Sequence, residues 1–185
     1  IEYAKLSGRG RGSFAYRVKR AFFYFDTSGI TGTVSAASLN VVGVSNANTS
    51  VIVVPSDAFS GDGSTDLAST DIDNVTFDTS YGAEFTGWAT SGTISMTLRS
   101  QARSDIQNNN AFICAVIQHD NDFSDSEPGS AVTLNNGINY FTTPFLDFTV
   151  ATSSNITSLN TIARSNITSF NTIALANIDE INTVS

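Results

Sequence analysis

Short strand-like segments alternate with turn-forming residues from Phe14 to Val150, and this alternation constrains the fold more than any other feature of the sequence. The segments with strand character are FAYRVKRAFFYFD, ASLNVVGVS, TSVIVVPS, GTISMTLRS, AFICAVIQ and FLDFTV. Stretches rich in Gly, Ser, Asn and Asp separate them, as turns require. Many short strands with frequent turns are typical of sandwiches and jelly rolls. We therefore predict an all-β domain, a jelly roll or β-sandwich, over residues 1–150.

The segment FAYRVKRAFFYFD carries the strongest strand signal. Ala21, Phe23 and Phe25 share one face of a period-2 pattern, and Tyr24 lies on the other. Because both faces carry aromatic residues, we expect a central strand. Helical periodicity before the C-terminal segment is limited to one or two turns around residues 100–106.

Composition excludes several classes of protein. With 185 residues and 41% hydrophobic content, the chain is long enough for one well-buried core. The longest apolar stretch, residues 111–117, is far shorter than the roughly 18 residues of a membrane helix, so we expect no membrane insertion. The net charge of −8 argues against nucleic-acid binding, which requires clustered Lys and Arg. We expect the basic residues between Lys5 and Arg20 to pair locally, with contact to nucleic acid or an acidic partner as the alternative.

Three quoted stretches resemble a known family. YRVKRAFFYFDTSGITGTVSAASLNVVG resembles the opening of DNRLRE-type jelly rolls, which are similar to carbohydrate-binding modules. FTGWATSG, which contains Trp88, is similar to a Trp-containing segment of the same pattern. VIQHDNDFSDSEPGSAVTLNNGINYF resembles the form found in virion proteins of tailed phages. The resemblance covers roughly residues 16–150 and implies a jelly roll with a structural or glycan-binding role.

The C-terminal segment, residues 151–185, repeats itself with a period of 11 residues. The copies begin at Asn155, Asn166 and Asn177. Three apolar positions recur in each copy, and they are occupied by Ile156, Leu159, Ile162, Ile167, Phe170, Ile173, Ile178, Ile181 and Val184. The sequence begins at Ile1 and stops within a repeat, from which we expect the gene product to continue.

Three conformations of the repeat are compatible with its period. A helix would align the copies, because eleven residues at 100° each end about 20° past three full turns, but Ile, Thr, Ser and Asn are weak helix formers. An unbroken strand would turn alternate copies to opposite faces. The third conformation is mixed: a helical turn begins at Asn155 and ends at Leu159, Asn160 is left-handed, and residues 161–163 are extended.

In each conformation the apolar stripe is too thin to fold alone, which predicts a partner. The repeats are also similar to those of phage fibres and virion appendages. We therefore predict a structural protein on the virion surface of a tailed phage, assembled with identical subunits, a trimer being favoured, and with other virion proteins. The alternatives are a flexible linker for residues 151–185, and a secreted carbohydrate-binding module for the whole chain.

We predict no enzymatic activity. The one histidine, His119, lies five residues after the one cysteine, Cys114, on the same predicted strand, so the two side chains should be far apart. We expect Cys114 to be a buried hydrophobe and His119 to be a turn or surface residue. Glycosidase chemistry needs two opposed carboxylates, one of them with a raised pKa. The aspartates lie in predicted solvated loops, which lack the apolar surroundings that raise the pKa of a carboxyl.

The best candidate for a cofactor is a structural Ca²⁺ in HDNDFSDSEP. Asp120, Asp122, Asp125 and Glu127 supply the carboxylate oxygens that this ion prefers. An EF-hand is excluded, because Ala131 occupies the twelfth position and cannot coordinate. The alternative is a solvated acidic turn. A second acidic loop is a weaker candidate; it contains Asp57, Asp62, Asp66, Asp71 and Asp73.

Glycan recognition would need exposed aromatic rings. Trp88, Tyr81 and Tyr140, together with Phe59, lie near predicted strand ends, where such a platform could form. The alternative is that the single Trp belongs to the core.

Overall fold

The structure, a computed structural model, describes residues 2–7, 14–45, 50–86, 92–127 and 138–151, and four two-residue strands of the C-terminal repeat. Side chains are described for residues 17–42, 50–86, 92–127 and 143–151. The chain divides into two compact units: unit 1 is Ile1–Val150 and unit 2 is Ala151–Ser185.

Residues 1–151 contain eight strands within the described ranges. They are β1 (Glu2–Ser7), β2 (Phe14–Lys19), β3 (Ala21–Asp26), β4 (Thr33–Ser45), β5 (Val51–Pro55), β6 (Thr93–Thr97), β7 (Ala111–Gln118) and β8 (Ile138–Ala151). Strands β1 and β2 form an antiparallel hairpin. The other six form two three-stranded sheets, with the orders β3-β7-β5 and β6-β4-β8. The prediction of an all-β fold is confirmed.

The core lies on both faces of the β3-β7-β5 sheet. Phe112, Cys114 and Val116 of β7 belong to the larger cluster, together with residues of β4 and β6. The intervening Ala115 and Ile117 belong to a smaller cluster. Burial on both faces explains why AFICAVIQ is almost continuously apolar. By contrast, β6 alternates: Ile94 and Met96 are buried, and the residues between and beside them are exposed.

One helix accompanies the sheets. α1 (Ser100–Asn108) extends the one or two turns predicted around residues 100–106. Its Ala102 and Ile106 are fully buried in the larger core cluster. These residues are four apart, so they lie on one side of the helix.

Two strand predictions need correction. FAYRVKRAFFYFD is not one strand, because Arg20 separates β2 from β3, and the two strands pair with different partners. Strand β3 is not central: in the described sheet it is an edge, and β7 lies in the centre. The aromatic residues on both faces of β3 are nevertheless used, because Phe23 joins the larger cluster and Phe22 packs against the smaller one.

Unit 2 contains two short antiparallel hairpins. Strands β9 (Ser158–Leu159) and β10 (Ile162–Ala163) form the first, and β11 (Ser169–Phe170) and β12 (Ile173–Ala174) form the second. The register pairs Leu159 with Ile162 and Phe170 with Ile173. Strand β9 therefore lies where the mixed conformation placed the end of a helical turn. The other predicted assembly positions lie outside the described residues: Ile156, Ile167, Ile178, Ile181 and Val184.

Candidate functional site

The acidic loop after β7 begins with a π-helical turn, His119–Phe123. The side-chain oxygen of Gln118 accepts hydrogen bonds from the backbone N–H groups of Asn121 and Asp122, at 2.6 and 3.1 Å. The hydroxyl of Ser124 donates to the carbonyl of His119 at 2.9 Å. The turn is thus organised by Gln118 at the end of β7 and by Ser124 within the loop.

Asp122 faces the protein interior and forms an ion pair with Arg20. Nε and Nη2 of Arg20 donate to the two carboxylate oxygens, at 2.9 and 2.7 Å. The side chains are only 9% and 5% exposed. Such bidentate, charge-assisted pairs are among the stronger hydrogen-bonded contacts in proteins. Both oxygens of Asp122 are therefore engaged by a cation of the protein itself.

The side chain of Asp120 lies away from Arg20, close to the side chains of His119 and Glu84. Its Oδ1 lies 3.2 Å from Nδ1 of His119, and the same Nδ1 lies 3.7 Å from Oε1 of Glu84. One ligand atom from each of the three residues lies within 4.8 Å of the other two. We call these three residues the H119 cluster.

The backbone around β5 brings the H119 cluster together. The N–H of His119 donates to the carbonyl of Ser50 at 3.0 Å. Val51 exchanges two hydrogen bonds with Phe85, at 2.8 and 3.0 Å, which places Glu84 beside the start of β5. The consecutive residues Ser50 and Val51 thus hold together the segments around His119 and Phe85, which are far apart in sequence.

The pKa of the Asp120 carboxyl is lowered, first by a hydrogen bond from Ser50 and then by His119, with burial acting in the opposite direction. The hydroxyl of Ser50 donates to Oδ1 of Asp120 at 2.7 Å. The ring of His119 stacks on Phe123, with 5.9 Å between centroids and 21° between planes. Within the cluster, Asp120 is thus oriented by Ser50, and His119 by Phe123.

The four residues predicted to bind Ca²⁺ do not lie together as one ligand set. Asp122 pairs with Arg20, Asp120 belongs to the H119 cluster, and Asp125 and Glu127 are exposed further along the loop. Within the described ranges, the H119 cluster is the group of three such ligand atoms that converges. Sequence reasoning did not associate Glu84 with this loop, because no local pattern connects residue 84 to residue 119.

The second acidic loop is organised by Asp71. Its Oδ2 accepts hydrogen bonds from the N–H groups of Ala68 and Phe59, at 3.0 and 3.3 Å, and Oδ1 accepts one from Asn74 at 2.9 Å. The bond from Ala68 is the main reason why the pKa of this carboxyl is lowered. Asp71 thus acts as an acceptor for the loop backbone.

The aromatic residues predicted to bind glycans have different locations. Tyr81 is 6% exposed, packs 5.2 Å from the ring centroid of Phe112, and donates its hydroxyl hydrogen to Asp105. Burial and this hydrogen bond raise the pKa of the Tyr81 hydroxyl. Tyr81 therefore offers no ring to solvent. Tyr140 lies in β8, but its side chain and all of Trp88 lie outside the described residues.

Cys114 is fully buried, as predicted, and burial raises the pKa of its thiol. A raised pKa keeps the sulfur protonated and weakly nucleophilic.

A groove of about 240 Å³ crosses the β6-β4-β8 sheet. Residues 36–38 of β4, Ser95 and Thr97 of β6, and residues 147–149 of β8 line it. Phe148, one of these lining residues, is 37% exposed. The groove thus combines small hydroxyl side chains, one carboxylate and one aromatic ring.

The chain was compared with protein families, curated proteins and solved structures. No family model, curated protein or solved structure matches the chain. Among the helices of the described residues, none has the length and apolar character needed to cross a membrane.

Proposed function

We propose that this chain is a structural assembly protein: a β-sandwich displayed on a particle surface, joined to identical subunits through the repeats of unit 2. The fibre or an appendage of a tailed-phage virion is the setting that the sequence resemblance favours. The observation that carries the proposal is the recurrence of one hairpin after 11 residues, with an apolar pair in register each time.

The energetics of short hairpins support a need for partners. A two-stranded hairpin in water is marginally stable at best, even with strands of ordinary length. The strands of unit 2 have two residues each. Stacking repeated units between subunits would supply the missing apolar contacts, as it does between repeats of solenoid proteins. In a closed cyclic oligomer, here a trimer, each subunit's interface surface is covered by a neighbouring subunit.

We propose further that unit 1 is a jelly roll. Every connection from β3 to β8 passes from one sheet to the other, and β7 inserts between the earlier strands β3 and β5. Connections that cross between two sheets are typical of Greek-key and jelly-roll sandwiches, and a jelly roll has eight strands. Of the eight strands in the described part of residues 1–151, six lie in these two sheets and β1 and β2 form a separate hairpin.

Sedimentation equilibrium tests the assembly role. The full chain is compared with a chain ending at Ala151, which keeps all of β8. We expect a trimer for the full chain and a monomer with an unchanged β-type circular dichroism spectrum for the shorter one. A full chain that stays monomeric at every protein concentration measured, or a shorter chain that is equally trimeric, would contradict the proposal.

A second candidate function is carbohydrate binding at the groove across β6-β4-β8. The observation in its favour is that the partly exposed Phe148 lines the groove together with Asp147 and small hydroxyl residues. Aromatic faces and polar groups are what sugar rings require. Binding on a glycan array that is lost in Phe148→Ala, but kept in the control Phe77→Ala, would favour this function. No binding by the full chain would remove it.

A further inference from the structure

We propose that the H119 cluster binds one divalent transition-metal cation of the Zn²⁺ class, with Nδ1 of His119 and one carboxylate oxygen each from Glu84 and Asp120 as ligands. The proposal concerns unit 1 and is independent of the assembly role proposed above. It differs from the Ca²⁺ site expected from sequence in the ion and in all ligands but Asp120.

The distances suit a small cation. Ligand atoms bound to tetrahedral Zn²⁺ at 2.0–2.2 Å lie about 3.3–3.6 Å from one another. Nδ1 of His119 lies 3.2 Å from the Asp120 oxygen and 3.7 Å from the Glu84 oxygen, close to the two edges that such an ion requires. The third edge is within 4.8 Å, and the Glu84 side chain is 44% exposed, which leaves it room to rotate inward.

The ligand chemistry selects the class of ion. An imidazole nitrogen suits Zn²⁺ and its transition-metal neighbours, whereas Ca²⁺ takes six to eight oxygen ligands. Two carboxylates and a neutral imidazole carry a charge of −2, which a divalent cation neutralises. Three protein ligands leave a fourth position for water, and the exposure of Asp120 and Glu84 keeps that position open to solvent.

Neighbouring side chains orient two of the proposed ligands, as side chains behind the ligands do in known metal sites. The buried hydroxyl of Ser50 donates to the Asp120 carboxylate at 2.7 Å. The stacked ring of Phe123 fixes the imidazole plane of His119. Orientation of ligands by such contacts raises metal affinity. A bound ion would also connect Glu84 to the end of β7, across the start of β5.

Calorimetric titration of the untagged full chain, dialysed against EDTA and then freed of it, tests the site with ZnCl₂. We expect one ion per chain and a rise in melting temperature of roughly 5–10 °C when free Zn²⁺ exceeds its dissociation constant a hundredfold. CaCl₂ and MgCl₂ should give much smaller rises. Because His119 is the one histidine, its imidazole NMR signals report directly on coordination, and they should shift or broaden on addition of Zn²⁺.

Two variants and a matched control locate the ligands. Glu84→Gln and His119→Asn should each weaken Zn²⁺ binding by at least about tenfold. The control Asp125→Asn/Glu127→Gln removes two neighbouring carboxylates outside the cluster and should bind as the parent does. Glu84 is exposed, so its variant remains informative if His119→Asn folds poorly.

Three results would overturn the proposal: no heat and no thermal shift with Zn²⁺, equal binding by Glu84→Gln and the parent, or stronger binding of Ca²⁺ that the control variant loses. The last result would instead place a Ca²⁺ site in the acidic loop.

Discussion

Arg20 connects segments of unit 1 that are distant in sequence. Besides its pair with Asp122, it donates from Nη1 to the carbonyl of Ile72, and its guanidinium carbon lies 5.1 Å from the ring centroid of Phe77. The residue also lies between the end of β2 at Lys19 and the start of β3 at Ala21. A charge so little exposed is stabilising only while its counter-charge is present, because desolvation of an unpaired ion is costly.

Asp122→Ala should therefore lower the free energy of unfolding by about 3–5 kcal/mol, because it leaves the Arg20 guanidinium buried without its carboxylate. Asp73→Ala is the matched control: its carboxylate lies 3.7 Å from the same guanidinium but is 90% exposed, so we expect a loss of about 0–1 kcal/mol. Urea unfolding measures both. Equal losses in the two variants would show that burial does not distinguish these pairs.

Asp71 should make the stability of unit 1 sensitive to acid. Its pKa is lowered in the folded protein, so its contribution is complete above the unfolded pKa, near 3.8, and is lost as pH falls through the lower folded value. Asp71→Asn should be less stable than the parent at pH 7, and the difference should narrow below pH 3.8.

Urea midpoints measured from pH 7 to pH 2.5 test this dependence. The exposed Asp66 lies in the same loop, and Asp66→Asn serves as the control, for which we expect little change in stability. A difference between Asp71→Asn and the parent that stays constant down to pH 2.5 would contradict the role assigned to the ionised carboxylate.

At the scale of elements, the strands with clear local patterns could be predicted and the break between β2 and β3 could not. The continuous apolar run of β7 follows from burial on both faces, and the alternation of β6 follows from burial on one. Arg20, which lies at the break, pairs with Asp122, 102 residues away, and no local pattern contains that contact. Strand β3 resembles a central strand because its two faces pack against different core clusters, but burial of both faces does not reveal how many strands pair beside it.

Helix α1 contributes to the core through one side, and Ile106 is its largest fully buried residue. Ile106→Ala should lower the free energy of unfolding by about 2–5 kcal/mol, through lost apolar contact and the cavity left behind. Ser104→Ala, on the exposed side of the same helix, should change it by about 0.5 kcal/mol or less. Chemical denaturation of both variants measures the contrast, and comparable losses would mean that α1 does not depend on this side for its packing.

At the scale of the whole molecule, two things limit what the sequence can predict: contacts between residues far apart in the chain, and association between subunits. Glu84 and His119 lie close together where the backbone of the adjacent residues Ser50 and Val51 bonds to both segments, so no local sequence pattern predicts the H119 cluster. The repeat was recognised by its period, but a period of 11 suits several conformations. The low helix propensity of Ile and Thr, and their preference for strands, agree with the hairpins that the structure contains.

If unit 2 is ordered by assembly and unit 1 by its own core, the two should unfold in separate transitions. Mass action raises the melting temperature of a structure that dissociates on unfolding, so the transition of unit 2 should rise with protein concentration while that of unit 1 stays fixed. Scanning calorimetry over a hundredfold range of concentration measures both.

Substitutions in the repeat assign the concentration-dependent transition to its apolar pairs. Leu159→Ser/Phe170→Ser removes one member of each registered pair. It should abolish that transition and leave the other unchanged, because the substitutions lie outside unit 1. Ser158→Ala/Ser169→Ala changes the preceding residue of each hairpin and should keep both transitions. A single transition, independent of concentration and unaffected by the Leu159→Ser/Phe170→Ser variant, would mean that the apolar pairs do not join subunits, and that the period of the repeat has another origin.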